Sequence, residues 1–126
     1  MEEFEILDPL LLIKVDRLWN EYDLSRDLDA HILYEITRGF WKVSLKRVSG
    51  RLVCAVVGGI IREIYVPKEW HPAIEAYGSR SALNPEGRYQ FSGTAAVSSQ
   101  HRSYVHRSVK HLYKPGAQSP VTYWPK

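Results

Sequence analysis

The sequence predicts an α+β fold: a curled, mostly antiparallel sheet or small open barrel of five to six strands with two principal helices. Three observations predict it. Apolar residues change their spacing along the chain, from every fourth position to every second and back again. A Gly58-Gly59 pair joins two strongly apolar runs, the signature of a tight hairpin. Finally, 126 residues with 44% hydrophobic and 25% charged side chains suit one globular domain, residues 1–126, with a core of its own.

Residues 10–15 read as a first strand, followed by a polar turn over 16–25. Over 27–38 the period changes, because Leu24, Leu28, Ile32 and Ile36 recur every four residues and mark one helical face. Asp27 and Asp29 at its start and Arg38 in its last turn complement the helix dipole. Gly39 is placed to end it in a left-handed cap. In 41–46, Trp41, Val43 and Leu45 alternate with Lys42, Ser44 and Lys46, which predicts a half-buried strand with a basic outer face.

Residues 52–57 are apolar on both faces and belong at the centre of a sheet. After the Gly58-Gly59 turn a third strand is expected over 60–66, stopped by Pro67, so that 40–66 form a three-stranded meander. A long connection over 67–88 leads to a strand at 88–92, with Gly93 as a bend or bulge. A helix over 100–114 puts Ser103, Arg107, Lys110 and Lys114 on one side and His101, Val105, Val109 and Leu112 on the other. Residues 121–124 form a short last strand, since Val, Thr and Tyr favour pleated surfaces.

Charge is divided along the chain. Residues 1–35 carry ten carboxylates against three cations, a net of −7, while residues 36–126 carry fourteen cations against four glutamates, a net of +10. A basic surface laced with aromatics is the electrostatic footprint of a polyanion binder. The expected nucleic-acid-binding residues are Trp41, Lys42, Lys46, Arg47, Arg51, Tyr89, Arg107, Lys110 and Lys114, converging on a single face. Cations would engage phosphates in any sequence, and exposed rings would stack bases at about 1–3 kcal/mol each.

Other chemistries find less support. His101, His106 and His111 are spaced by five, so on a helix each turns about 140° from the last and the three do not converge on a metal ion. No cysteine pair, HExxH or phosphate-loop pattern occurs, and no cofactor is called for. Cys54 lies in the most apolar run, as a buried reduced thiol, which implies a reducing, cytoplasmic setting. No run approaches the roughly 20 apolar residues that span a bilayer, so no membrane partner is expected. Two alternatives to a non-catalytic binding domain stand beside it. One is a small metal-independent, toxin-like ribonuclease using His106, Arg107 and Tyr104. The other is an interaction module, a homodimer in which the acidic N-terminal region docks on the basic face of a second copy.

The run from Gly39 through Phe40, Trp41, Lys42 and Val43 to the hairpin 55–65 and Trp70 resembles the PUA-like group of small barrels, which includes the EVE, ASCH and SRA-type domains. The resemblance covers residues 39–92 and rests on layout, since the G-x-K signature of ASCH proteins is absent. It implies a five- or six-stranded barrel flanked by short helices that reads RNA or a modified base. No individual pocket residue is carried over from it.

Overall fold

The computed structural model describes residues 5–21, 30–73, 87–113, 116 and 119–125. Among these residues, five strands form one sheet: β1 (Leu10–Lys14), β2 (Leu52–Val57), β3 (Ile60–Pro72), β4 (Tyr89–Ala95) and β5 (Val121–Trp124), in the order β4-β3-β2-β1-β5. Three of the four pairings are antiparallel and β1 with β2 is parallel. The helices are α1 (Asp16–Glu21), α2 (Ala30–Arg38), α3 (Leu45–Val48) and α4 (Ser99–Arg102), with a 3-10 turn at Lys110–Leu112. The expected α+β class and mostly antiparallel sheet are therefore present. The sheet stays open, with β4 and β5 at its two ends, so the barrel expected from sequence does not close.

Every residue of β2 is buried, as its two apolar faces require. Each face needs its own cover. On one side Leu11, Ile13, Val53, Ala55, Val57 and Phe91 pack against Leu18 and Trp19 of α1, Leu33 and Ile36 of α2, and Val48 of α3. On the other, Leu10, Leu12, Cys54, Val56, Ile61 and Ile64 pack against Ala96, Tyr104 and Val109. The period-2 alternation of the strands thus sorts their side chains between two cores. Burial pushes the Cys54 thiol far up from its ordinary pKa, so it is an inert core side chain.

The Gly58-Gly59 turn forms as expected, with φ of 60° and 77°, the two positive values of a primed hairpin. Several other expectations are corrected. Residues 16–21, expected as a turn, form α1, because Leu18 and Trp19 reach the sheet and the Asp16 carboxylate accepts the Gly58 N–H at 2.7 Å. The second helix is seen from Ala30 to Arg38, while Leu24, Asp27, Leu28 and Asp29 lie outside the described residues. Gly39 has no positive φ and makes no left-handed cap. It is small because a Cβ there would lie 2.5 Å from the Gln90 Cβ.

The strand expected over 41–46 does not form. Trp41 makes one bridge to Tyr89, and Ser44 then caps a helical turn, its Oγ accepting the Arg47 N–H at 3.3 Å. A local cap has overridden the alternation. The meander is therefore a β2–β3 hairpin beside the parallel β1. Pro67 does not end β3. The strand runs on to Pro72, and the register shifts between Pro67 and Glu69, a bulge being the place within a sheet where proline is tolerated. Gly93 faces Pro67 across that bulge.

The helix expected over 100–114 is also corrected. α4 stops at Arg102, His106 takes φ of 71°, and the backbone turns to the hairpin for its partners. The His106 N–H donates to the Ile61 carbonyl at 2.7 Å, the Ile61 N–H to that of Arg107 at 3.0 Å, and the Val109 N–H to that of Gly59 at 2.7 Å. Lys114 lies outside the described residues. The outer edge of β4 is closed by α2 and its successor. Trp41 and Tyr89 exchange backbone hydrogen bonds, the Arg38 Nε donates to the Phe91 carbonyl at 3.0 Å, and the Gly93 N–H donates to the Tyr34 hydroxyl at 3.1 Å. These bonds satisfy the edge groups that would otherwise template aggregation.

Gly93 is tied to this bulge by space rather than by φ, since a Cβ there would run into the Val66 carbonyl oxygen and come within 2.9 Å of the Pro67 Cα. Gly93→Ala is expected to lower unfolding stability by about 2–3 kcal/mol, as backbone must move to admit the methyl. Gly87→Ala meets no atom within 4 Å and pays only for its φ of 76°, about 1 kcal/mol. Urea denaturation of the two variants checks the ordering.

Candidate functional site

Among the described residues, cations without a carboxylate partner gather at the end of the sheet where β2 begins. β3 and β4 overhang β2 there, because β3 pairs with β2 only up to Tyr65 and then continues to Pro72 alongside β4. Between this overhang and the α3 turn lies a cleft of about 420 Å³. Its walls are Leu45, Val48 and Arg51 on one side, and Val66, Lys68 and Trp70 on the other. Leu45 and Val66 are 45% and 42% exposed, so apolar side chains lie open to solvent among the charged ones of the lining. Glu69 is the one carboxylate among the lining residues.

Arg47 and Arg51 rise beside the cleft, four residues apart. The Arg47 guanidinium carbon stands 3.7 Å from the centre of the Tyr123 ring and that of Arg51 stands 5.3 Å from the same centre. Tyr123 is held in turn, with its hydroxyl accepting the Ser44 N–H at 3.0 Å. Arg51 is fixed by its Nε, which donates to the Arg47 carbonyl at 2.7 Å, and by its Nη1, which donates to the Leu10 carbonyl at 3.1 Å. Burial, and after it the nearby Arg47 charge, hold the Arg51 guanidinium below its ordinary pKa, with the Tyr123 ring acting the other way. Two like charges are thus held together against their repulsion. Lys42 and Lys46 are exposed on the same segment. None of Lys42, Lys46, Arg47, Arg51 and Lys68 has a carboxylate partner among the described residues.

Of the expected set, Lys42, Lys46, Arg47 and Arg51 lie on the one segment that leads into β2, and the Arg47 and Arg51 guanidiniums meet on Tyr123. The rest go elsewhere. Trp41 is 2% exposed and donates its Nε1–H to the Thr37 carbonyl at 2.7 Å, so its ring is core and presents no face for a base. Tyr89 is half-buried at the far end of the overhang, paired with Trp41. Arg107 and Lys110 lie by the Gly58-Gly59 turn, with the Lys110 side chain lying over Gly59, and they belong to the segment covering the second face of the sheet. The length of β2, about 17 Å at roughly 3.3 Å per residue, separates that end from Arg51. One continuous basic face is thus not formed by these groups. Sequence reading counted Tyr123 among the aromatics interleaved with the basic residues but missed Lys68 and Trp70 as members of the site, because only the overhang of β3 brings those two near α3.

The trio expected for a ribonuclease does not assemble. The Tyr104 hydroxyl, on a side chain 1% exposed, donates to Asp8 Oδ2 at 2.7 Å and accepts the Leu7 N–H at 2.9 Å. His106 sits at the level of Ile61, toward the opposite end of the sheet, and is exposed. A different cluster surrounds Asp8: besides Tyr104, the Gln100 amide donates to Oδ2 at 2.9 Å and His101 Nε2 lies 3.3 Å from Oδ1. These contacts tie the chain before β1 to the segment after β4. Burial raises the Asp8 carboxyl, but the hydrogen bonds from Tyr104 and Gln100 and the His101 charge outweigh it and leave its pKa below the ordinary 3.8. Burial raises the Tyr104 hydroxyl, and its bond to Asp8 adds to that.

Among the described residues, no group of three or more His, Cys, Asp or Glu is placed to hold a metal ion, and no helix is long and apolar enough to cross a membrane. Comparison of the chain with protein-family models, with curated proteins and with solved structures gives no match.

The Asp8 cluster makes a stability prediction with a defined sign. A carboxylate whose folded pKa is depressed stabilises the fold above its unfolded pKa, and that contribution is lost as pH falls through the folded value. The stability difference between the native chain and Asp8→Asn should therefore shrink as pH falls below the ordinary 3.8. Tyr104→Phe removes one buried hydroxyl bond to a charged group and should cost about 1.5–3 kcal/mol at pH 7. Denaturation at a series of pH values reads both.

Proposed function

We propose that this chain is a non-catalytic nucleic-acid-binding domain that holds RNA or single-stranded DNA by its phosphates along the rim formed by Lys42, Lys46, Arg47 and Arg51. The observation that carries the reading is the Arg47–Arg51 pair, two guanidiniums against one tyrosine ring with no carboxylate partner among the described residues. Holding like charges together costs free energy in the unliganded protein, and a polyanion entering between them removes that cost. Planar guanidiniums that stack on a ring still present their N–H edges to phosphate oxygens, which favours this use of arginine over lysine. Lys68 and Trp70 on the opposite wall of the cleft extend the surface with one more cation and an indole.

Binding of this kind is directed at the backbone and tolerant of sequence. It is also what kinship with PUA-like domains, proposed on the layout of residues 39–92, would imply. A reducing, cytoplasmic setting belongs to the same proposal and rests on the lone thiol of Cys54 buried mid-strand.

The test is fluorescence anisotropy with internally labelled single-stranded RNA and DNA of about 12 nucleotides, a length that spans typical single-strand sites. Three neutralised phosphates predict a log–log salt slope of about −2, hence roughly fifteen-fold weaker binding at 200 mM than at 50 mM salt. Lys46→Gln with Arg47→Gln should weaken binding about tenfold or more, whereas Lys110→Gln, beside the Gly58-Gly59 turn, should leave it unchanged. Absence of binding to either strand at low salt removes the proposal.

A further inference from the structure

We infer that the Arg47–Arg51 pair on Tyr123 is a clamp for a phosphate monoester, so that the domain takes hold of the phosphorylated end of a strand in preference to its interior. The inference rests on the nucleic-acid reading above and narrows it to one chemical group.

The argument begins with charge. Two guanidinium groups share one aromatic ring, at 3.7 Å and 5.3 Å from its centre. They are close enough for the Arg47 charge to depress Arg51, and they have no carboxylate between them among the described residues. A phosphodiester inside a strand supplies one negative charge at a point, which leaves one of the two cations unmatched. A terminal phosphate monoester, whose second pKa is about 6, supplies close to two charges and three acceptor oxygens at neutral pH. Two adjacent arginines match that dianion in both charge and donor number.

Geometry supports the same group. Arg51 uses its Nε and one Nη1 hydrogen on the carbonyls of Arg47 and Leu10, which fixes the plane of its guanidinium and leaves Nη2 without an acceptor among the described residues. Arg47 sits over the ring at 3.7 Å from its centre and has no acceptor for its guanidinium among the described residues. Tyr123 is pinned by the Ser44 N–H, and Ser44 in turn caps the turn that carries Arg47. Both donors are therefore held before a ligand arrives, so little side-chain entropy is left to lose on binding. The lysines nearby, Lys42 and Lys46, are exposed and form no such fixed pair. They suit the following diesters of the strand, where point charges suffice.

Anisotropy with internally labelled oligonucleotides of one sequence, ending in a 5′-phosphate, a 3′-phosphate or hydroxyls only, separates this inference from the reading beneath it. One phosphorylated end should bind about tenfold or more tighter than the hydroxyl form, the worth of added charge-assisted hydrogen bonds. Arg47→Lys keeps the charge but loses the planar fork, so it should weaken the phosphate-ended strand more than the hydroxyl-ended one and narrow the end preference to within about twofold. Equal binding of all three oligonucleotides overturns the clamp and leaves the nucleic-acid proposal standing. Loss of all binding in every arm overturns both. A phosphoserine peptide and inorganic phosphate serve as further probes. If the peptide binds and no oligonucleotide does, the partner is a phosphoprotein and both proposals fall. Competition by millimolar inorganic phosphate against the phosphorylated end alone supports the clamp.

Discussion

The double-sided burial of β2 is the constraint from which the rest of the architecture follows. A strand with Val53, Ala55 and Val57 on one face and Leu52, Cys54 and Val56 on the other is stable only between two covers. The chain supplies one cover from the helices that precede β2 and the other from the segment that follows β4. Since β2 is central, its neighbours must complete the ladder on both sides, and a parallel β1 and an antiparallel β3 do so. Each buried Val, Leu or Ile contributes about 1.5–3 kcal/mol relative to exposure. With six consecutive buried positions, β2 contributes to both cores along its whole length.

The same constraint distributes the charge. Cations that precede β2 in sequence are carried by the cover on the helical face, and those that follow β4 are carried by the cover on the other. Among the described residues, the expected cations therefore fall into two groups, Lys42 to Arg51 before β2 and Arg107 with Lys110 by the Gly58-Gly59 turn, rather than one patch. What distinguishes the first group is mutual proximity. Isolated surface cations such as Lys42 are screened and cost little. By contrast, Arg51 is held beside the Tyr123 ring by hydrogen bonds to the backbone, and Arg47 is held over the same ring by the cation–π contact.

Legibility in the sequence followed the range of the interactions involved. The hairpin at Gly58-Gly59, the central strand, the helix ending at Arg38 and the last strand were all readable, because each depends on a local pattern: paired positive φ, a continuous apolar run, a four-residue period, and β-branched and aromatic residues. The failures are places where a distant partner or a short cap decided the outcome. Residues 41–46 alternate like a strand, but Ser44 offers its hydroxyl to the Arg47 N–H and a helical turn wins. Residues 103–112 carry a helical stripe whose apolar members, Val105, Val109 and Leu112, do reach the second core. Yet their backbone finds better partners on Ile61 and Gly59. Of the site, Lys42, Lys46, Arg47 and Arg51 were visible as a dense basic run. The role of Tyr123 was not, since it depends on β5 pairing with β1 some 110 residues away in the chain.

The position of the arginine pair also explains why a cation-rich turn can be rigid. α3 has four residues and would not persist as an isolated helix. Here it is anchored at three points: Val48 is buried in the helical-face core, Ser44 bonds to Tyr123, and Arg51 reaches back to the Leu10 carbonyl at the start of β1. Each anchor runs to a different strand or core layer, so no single side chain carries the turn. Arg51 is both an anchor and a charge, which ties the shape of the site to the fold. Arg47 is a charge alone, free of hydrogen-bond acceptors among the described residues and supported only by the ring beneath it. That division places structure on Arg51 and ligand contact on Arg47, and it makes Arg47 the residue whose chemistry can change without the β-sheet noticing.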